Sequence, residues 1–178
     1  SVTFQVPALA NPGICLVVSP LVALMKDQVK NLQKRGILSA FISSEMPHWE
    51  ILQQLDNCIL GDYKFLYISP ERISSELFQE KLKTLSRKVN LLVVDEAHCI
   101  SQWGQDFRPS YVGIADFLAQ LPKRPVVSAF TATATERVKE DIMGSLRLQN
   151  PVTVVTGFDR PNLFFRVVTR KGGKETDN

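Results

Sequence analysis

Six short runs of apolar residues, separated by longer stretches with helical periodicity, constrain the fold of this chain more than any other feature. Within each run the apolar residues follow one another and do not alternate with polar ones. Strands that are buried on both faces have this pattern, and they belong to parallel sheets covered by helices on both sides. We therefore predict a three-layer α/β domain with a mostly parallel sheet. The predicted strands are 14–18, 38–42, 65–68, 91–94, 125–130 and 152–155, and the predicted helices are 21–35, 47–59, 71–85, 110–121 and 135–148.

The composition excludes several classes of protein. The 178 residues are 44% apolar and 22% charged, which fits a globular domain with a hydrophobic core and not a largely disordered chain. No stretch reaches the ~18 consecutive apolar residues of a membrane helix, so we expect no membrane partner. Three widely spaced cysteines, Cys15, Cys58 and Cys99, argue against a disulfide framework and a zinc site. The net charge of +3 permits nucleic-acid binding but does not by itself argue for it.

Polar residues follow four of the predicted strands, at the points where these strands end. In an open α/β sheet, ligands bind just beyond the carboxyl ends of the strands, so these residues are candidates for a functional site. The four segments are Ser19-Pro20, Ser69-Pro70-Glu71-Arg72, Asp95-Glu96-Ala97-His98 and Thr131-Ala132-Thr133.

Asp95 and Glu96 come directly after four apolar strand residues. A strand that ends in this way holds at least one carboxylate in a partly dry place, which is costly unless a cation or strong donors lie beside it. A Mg²⁺ ion that carries nucleotide phosphates is the commonest solution, and Asp95 would hold that ion through its water shell. Glu96 would then orient or deprotonate the water that attacks the terminal phosphate. A solvated acidic turn without a ligand is the alternative.

The segment 99–111 combines aromatic residues and an arginine with Gly and Pro, and it has no helical or strand period. Aromatic faces accept stacked bases, and Arg stacks on a base or pairs with a phosphate. The alternative is that Trp103 and Phe107 only pack the loop against the core. Because this loop follows the two carboxylates directly, the sequence favours a coupling between phosphate chemistry and a nucleic-acid strand.

Taken together, these motifs resemble the first motor domain of RecQ-type DNA helicases, which belong to helicase superfamily two. The resemblance covers about residues 1–168, the motifs occur in the family's order, and the aromatic-rich loop is specific to RecQ proteins. The segments that carry it are Ser19-Pro20-Leu21 with Met25-Lys26-Asp27-Gln28, Ser69-Pro70-Glu71-Arg72, Asp95-Glu96-Ala97-His98, Ser101-Gln102-Trp103-Gly104 with Asp106-Phe107-Arg108-Pro109, Thr131-Ala132-Thr133-Ala134, and Phe158-Asp159-Arg160-Pro161-Asn162.

This resemblance implies a RecA-like domain of the P-loop NTPase class over residues 1–156, with residues 157–178 starting the linker to a second motor domain of the same parent chain. It implies an ATP-dependent DNA helicase of repair and recombination that moves 3′ to 5′ on single-stranded DNA and unwinds duplex junctions. ATP and Mg²⁺ would be its cofactors, and the cytoplasm, or the nucleus of a eukaryote, its location. An RNA helicase of the same superfamily and a non-catalytic nucleic-acid-binding module are the alternatives.

For the chemistry, the resemblance implies that Asp95 and Glu96 are the catalytic pair and that His98 links the nucleotide site to the aromatic loop. Thr131 and Thr133 would pass the state of the nucleotide towards the DNA. As an alternative, two threonines after a strand are ordinary helix caps.

For the nucleic acid, the resemblance implies that side chains of the loop touch single-stranded DNA and report its presence to the nucleotide site. Two serines lie where a helix N-terminus binds a phosphate through backbone N–H groups. Further polar residues on the helices would add phosphate contacts, or would simply be solvated. The DNA-binding set is Trp103, Phe107, Arg108, Ser19, Ser69, Lys26, Gln28 and Arg72.

One departure from the family pattern is a missing motif. A P-loop NTPase needs a Gly-rich turn that ends in Gly-Lys-Ser/Thr, and these 178 residues contain none. The family places that motif immediately before this sequence, so Ser1 would be its last residue and a Mg²⁺ ligand. We therefore expect a helicase fragment that hydrolyses no ATP alone. We also expect a sheet with a gap or an exposed edge where the P-loop strand belongs.

Overall fold

The computed structural model describes residues 1–157, 162–164 and 166–167. Over these residues the chain forms five strands, β1 (Ile14–Val18), β2 (Ser39–Ile42), β3 (Phe65–Ile68), β4 (Val89–Val94) and β5 (Val126–Ala129). The helices are α1 (Val2–Ala10), α2 (Val22–Gln33), α3 (His48–Leu60), α4 (Pro70–Ile73), α5 (Glu76–Leu85), α6 (Pro109–Gln120) and α7 (Glu136–Ser145), and a 3-10 helix spans Ala97–Ile100.

The strands form one parallel sheet in the order β2-β3-β1-β4-β5. Alternate residues of the strands β1 to β4 enter two separate cores. Cys15 and Val17 of β1 face α1 and α2, whereas Leu16 and Val18 face the layer of α3 to α7. Both sides of the strands are therefore apolar, which explains the unbroken runs in the sequence. This architecture confirms the predicted three-layer α/β domain.

Two helical regions differ from the sequence-based prediction. The predicted helix 71–85 is two helices, because the chain breaks at Ser74 and Ser75, where the hydroxyl of Ser75 accepts a hydrogen bond from the N–H of Phe78 (3.4 Å). The helix α1 was not predicted. Its interior contains Pro7, and it buries only Phe4 and Ala8, so it has almost no amphipathic pattern to detect.

The predicted strand 152–155 is wrong, because the structure shows no regular backbone over these residues. Val152 and Val154 are 91% and 82% exposed. A β-branched run becomes a strand only when it has a neighbour to pair with. In the described part of the chain no strand lies beyond β5, and Val126 on that strand is 68% exposed. A groove of about 510 Å³ lies between this edge of β5 and α1. That the P-loop strand belongs at this edge stays a prediction.

Some predictions fall outside the described residues. These are the motif segment Phe158-Asp159-Arg160-Pro161 and the tail 170–178. The domain boundary between residues 156 and 157 accordingly stays a prediction. Among the described residues, no helix has both the length and the apolar character needed to cross a membrane.

Candidate active site

Four polar residues form a row along the carboxyl edge of the sheet, each one position beyond a strand. In spatial order they are Ser43, Ser69, Ser19 and Asp95, which follow β2, β3, β1 and β4. The backbone ladder continues into this row, since the N–H of Ser19 donates to Ile68 (3.1 Å) and that of Asp95 to Val18 (2.9 Å). The parallel register of the strands therefore brings residues that are far apart in sequence to the same height.

Asp95 is held from three sides. Its Oδ2 accepts a hydrogen bond from the hydroxyl of Ser19 (3.3 Å), and its Oδ1 accepts one from the N–H of Glu96 (3.1 Å). The buried hydroxyl of Tyr111 donates to its backbone carbonyl (2.9 Å). Burial raises the pKa of Tyr111 far above its usual value, so this hydroxyl remains a donor.

The half-buried carboxylate of Asp95 has no Lys, Arg or His within ion-pair distance among the described residues. Carboxylate oxygens are the hard ligands that Mg²⁺ prefers, and an anion without a cationic side chain beside it suits such an ion. The donor set at Asp95 therefore fits the predicted metal.

Glu96 turns the chain sharply after β4. Its φ of 49° and ψ of 45° lie in the left-handed region, which a non-glycine residue occupies at a cost of roughly 1–3 kcal/mol. The turn is fixed by the next residue, since the N–H of Ala97 donates to the carbonyl of Phe130 (2.8 Å). As a result the Glu96 side chain is 33% exposed, and its Oε2 lies 3.4 Å from Nδ1 of His98.

His98 joins this carboxylate to the segment after β5. Its Nδ1 also lies 2.9 Å from Oγ1 of Thr131. The single proton of the Thr131 hydroxyl is donated to the carbonyl of Thr133 (3.1 Å), so the hydroxyl must accept from His98. An N–H on Nδ1 of His98 therefore points between Glu96 and Thr131. The structure thus brings together three of the residues that the resemblance singled out.

Thr133 takes part through its backbone rather than its side chain. Its carbonyl accepts from the Thr131 hydroxyl, and its N–H donates to the same oxygen (3.2 Å). The helix cap that was the alternative role for these threonines belongs to Thr135, whose hydroxyl accepts from the N–H of Val138 (3.3 Å).

The aromatic loop folds back on the 3-10 helix. The N–H of Arg108 donates to the carbonyl of Cys99 (2.8 Å), and that of Gly104 donates to Ser101 (3.0 Å). A Cβ at Gly104 would lie 2.5 Å from the carbonyl oxygen of His98, so only glycine fits this close approach. The backbone of the loop is therefore packed directly against the turn that carries the catalytic candidates.

The side chains of the loop differ in exposure. Trp103 is 61% exposed, which contradicts the alternative that it packs the loop into the core, whereas Phe107 is half-buried. The guanidinium of Arg108 binds Asp106 through Nε (3.1 Å) and Nη2 (2.9 Å). This contact lowers the pKa of the Asp106 carboxyl below its usual range.

Ser1 lies at the end of a polar chain that the sequence did not reveal. Its hydroxyl accepts from Gln28 (3.0 Å), whose Oε1 accepts from Gln5 (2.8 Å), and Gln5 also donates to the hydroxyl of Tyr67 (3.1 Å). No hydrogen bond joins Ser1 to Asp95, so the two predicted Mg²⁺ ligands are not in direct contact. Gln28 faces α1 within the protein, which does not favour its predicted role on DNA.

The remaining predicted phosphate contacts are mostly engaged within the protein. Arg72 donates to the carbonyls of Ser43 (3.1 Å), Ser44 (2.8 Å) and Met46 (3.2 Å), and thus holds the loop after β2. Ser19 has both its N–H and its hydroxyl paired, and Ser69 has its N–H paired with Ile42 (3.0 Å). The hydroxyl of Ser69 is buried without a hydrogen-bond partner among the described residues. Lys26 is exposed and only loosely paired with Glu45 (3.8 Å), so it remains free for a phosphate.

Comparison with known proteins places these motifs in a family. The family model of the DEAD/DEAH box helicases matches residues 1–142. The chain is 48% identical to the ATP-dependent DNA helicase RecQ of Bacillus subtilis over 168 residues, which is 94% of this chain and 28% of that protein. It is 45% identical to the ATP-dependent DNA helicase Q-like 4B of Arabidopsis thaliana over 177 residues, which is 96% of this chain and 15% of that protein.

The fold is also that of solved helicases. The helicase domain of Hef from Pyrococcus furiosus is similar with a TM-score of 0.60 and 19% identity, over 84% of this chain and 31% of that one. This likeness confirms the predicted RecA-like fold. The chain spans less than a third of each of these three proteins. Since the family model covers most of the chain and the RecQ-type relatives match nearly all of it, the chain belongs to the DEAD/DEAH box helicase family, on its RecQ-type side.

Proposed function

We propose that this chain is the nucleotide- and DNA-binding part of a RecQ-type helicase, which uses ATP hydrolysis to move 3′ to 5′ on single-stranded DNA and to unwind duplexes. The observation that supports this most is the continuous contact from Glu96 through His98 to Thr131. The aromatic loop continues from the same turn, and its tryptophan is exposed. The proposed site for phosphate chemistry at Glu96 and the proposed surface for bases at Trp103 therefore lie on consecutive segments of the same chain.

In the proposed reaction, Asp95 and the hydroxyl of Ser1 would hold Mg²⁺, Asp95 through the water shell of the ion. The ion would supply positive charge beside the phosphate oxygens. Glu96 accepts the proton of the attacking water, and its partial exposure leaves room for that water. The Nδ1–H of His98 orients the carboxylate of Glu96 and ties its position to Thr131.

On the nucleic-acid side, we propose that Trp103 and Phe107 stack on unpaired bases and that Arg108 and Lys26 contact phosphates. We propose DNA rather than RNA as the nucleic acid, because the relatives that match almost the whole chain are named DNA helicases. We also propose that the 178 residues alone hydrolyse no ATP, since they include no Gly-Lys-Ser/Thr turn to hold the phosphates. A second motor domain would complete the site.

The test uses a full-length helicase that carries this segment. ATP hydrolysis is measured with single-stranded DNA, with RNA and without nucleic acid, and unwinding is compared on duplexes with a 3′ or a 5′ tail. We expect stimulation by DNA and unwinding of the 3′-tailed duplex. Equal or stronger stimulation by RNA would support the RNA helicase. An absence of any hydrolysis would support the non-catalytic binding module.

A further inference from the structure

Arg137, which none of the sequence motifs included, lies over the indole ring of Trp103. Its Cζ is 3.4 Å from the ring centroid, which is direct stacking contact. Arg137 is in the first turn of α7, 34 positions after the tryptophan, so only the fold brings the two together.

The guanidinium of Arg137 has no carboxylate partner among the described residues. Of the three acidic residues on its own helix, Glu136 pairs with Lys139 (2.6 Å) and Asp141 accepts from the hydroxyl of Ser101 (2.6 Å), while the exposed Glu140 forms no ion pair with Arg137. The stacked guanidinium therefore keeps its N–H donors directed outward around its edge, where they are available to an anion.

The loop is fixed in the position that presents this pair. The same Ser101 hydroxyl that donates to Asp141 also accepts from the N–H of Trp103 (3.2 Å). The helix α7 thus holds the loop at two points, through Asp141 at the hydroxyl of Ser101 and through Arg137 at the indole. In spite of this, Trp103 remains 61% exposed, so much of its ring stays open.

We infer that Arg137 and Trp103 together form a binding site for one nucleotide unit of single-stranded DNA. The base stacks on the open part of the indole, and the guanidinium of Arg137 binds an adjacent phosphate through its outward N–H groups. This inference rests on the proposed function, in which Trp103 contacts DNA. It adds a phosphate-binding residue outside the aromatic loop, on the helix that follows the Thr131–Thr135 segment.

The test uses a reporter that the sequence provides. Trp103 is one of two tryptophans in the 178 residues, and the other, Trp49, is exposed on α3, so Trp49→Phe leaves Trp103 as the sole indole of the 178-residue chain, which is the protein used here. In this background an oligothymidylate is titrated while Trp103 emission is recorded, at a series of salt concentrations. Four proteins are compared in this background: the one with Arg137 and Lys139 intact, and the variants Arg137→Ala, Arg137→Lys and Lys139→Ala.

Loss of one phosphate contact on single-stranded DNA lowers the slope of log K against log salt by about 0.7. We expect this decrease for Arg137→Ala. Arg137→Lys retains the charge and should retain the slope. Lys139 is two positions away and already paired with Glu136, so Lys139→Ala should leave the slope unchanged.

Two results would overturn the inference alone: an unchanged slope in Arg137→Ala, or an equal decrease in Lys139→Ala, which would indicate a general effect of charge. If the protein with Arg137 intact gave no change in Trp103 emission with the oligonucleotide, the proposed DNA contact of the loop would fail, and this inference with it.

Discussion

Nδ1 of His98 lies 2.9 Å from Oγ1 of Thr131, so the histidine two positions after Glu96 is hydrogen-bonded to the segment that follows the edge strand β5. The contact crosses the carboxyl edge of the sheet from β4 to β5, which are neighbours. A movement of the Thr131–Thr135 segment, or of α7 behind it, would therefore shift the side chain of His98, which lies beside Glu96.

Replacement of Thr131 by Val should break this link without a change of shape. The variant loses the acceptor of His98 and of the Thr133 N–H, and we expect a loss of stability of about 1 kcal/mol. In the full-length helicase, basal ATP hydrolysis should persist while stimulation by DNA is lost. Hydrolysis rates with and without DNA measure this, and Thr131→Ser, which keeps the hydroxyl, is the control. Normal stimulation in the Val variant would show that the link plays no part in coupling.

Replacement of Glu96 by Gln should abolish hydrolysis and spare nucleotide binding. The amide keeps the size of the side chain but accepts no proton, which lowers the hydrolysis rate by roughly 10²–10⁴-fold, while Asp95 is untouched. Steady-state hydrolysis and binding of a non-hydrolysable ATP analogue separate the two effects in the full-length protein. Glu80→Gln, at an exposed position on α5, is the matched control. A Glu96→Gln enzyme with more than a tenth of the normal rate would remove Glu96 from its proposed role.

Replacement of Trp103 by Ala should uncouple hydrolysis from DNA, because the exposed indole is the surface on which a base stacks. Phe107→Ala should have a similar effect. The control is Trp49→Ala, since Trp49 is 67% exposed but lies on α3, away from the loop. The measurement is the DNA concentration that gives half-maximal stimulation of hydrolysis. If the Trp49 variant were as impaired as the Trp103 variant, stacking in the loop would not explain the effect.

The fold should lose stability in alkali because of two buried thiols. Burial raises the pKa of Cys15 and of Cys58 from 9.0 to about 12. In the unfolded chain these thiols ionise first, so the unfolded state holds fewer protons than the folded one above pH 9. The free energy of unfolding should therefore be highest below about pH 9 and fall between pH 9 and 12.

Urea unfolding at a series of pH values measures this dependence. The combined change Cys15→Ala and Cys58→Ala should make the fall shallower without removing it, because burial also raises the pKa of Cys99, Tyr67 and Tyr111. The same change lowers the stability at neutral pH by leaving small cavities. An equally steep fall in that variant would assign the alkaline instability to other groups.

The sequence was sufficient to predict the layers and the place of Asp95 and Glu96 at the carboxyl end of a buried strand. Unbroken apolar runs arise where both faces of a strand are covered, and residues such as Asp95 and Glu96 are distinctive because they end such a run. It was insufficient for the strand at 152–155, since pairing depends on a neighbour that apolar character does not reveal. It also missed α1, where Pro7 and the small buried face leave no period to detect.

Within the site, the sequence identified side chains that are able to bind a phosphate, but not which of them already form hydrogen bonds within the protein. Arg72 is bound by three carbonyls, and Gln28 by Ser1 and Gln5, through contacts that depend on the tertiary fold. For the same reason Arg137 gave no signal, since nothing local distinguishes it from another solvated arginine on an amphipathic helix.

The left-handed backbone at Glu96 means that one residue type favours the stability of the fold at this position and another the proposed activity. Glycine adopts a φ near 49° without strain, so Glu96→Gly is expected to relieve the roughly 1–3 kcal/mol held there, in part offset by the greater freedom of glycine in the unfolded chain. The same change removes the carboxylate. Selection for thermostability alone would therefore favour a residue that lacks the carboxylate proposed to act on the attacking water, and a stabilised variant with glycine here is expected to have lost ATP hydrolysis.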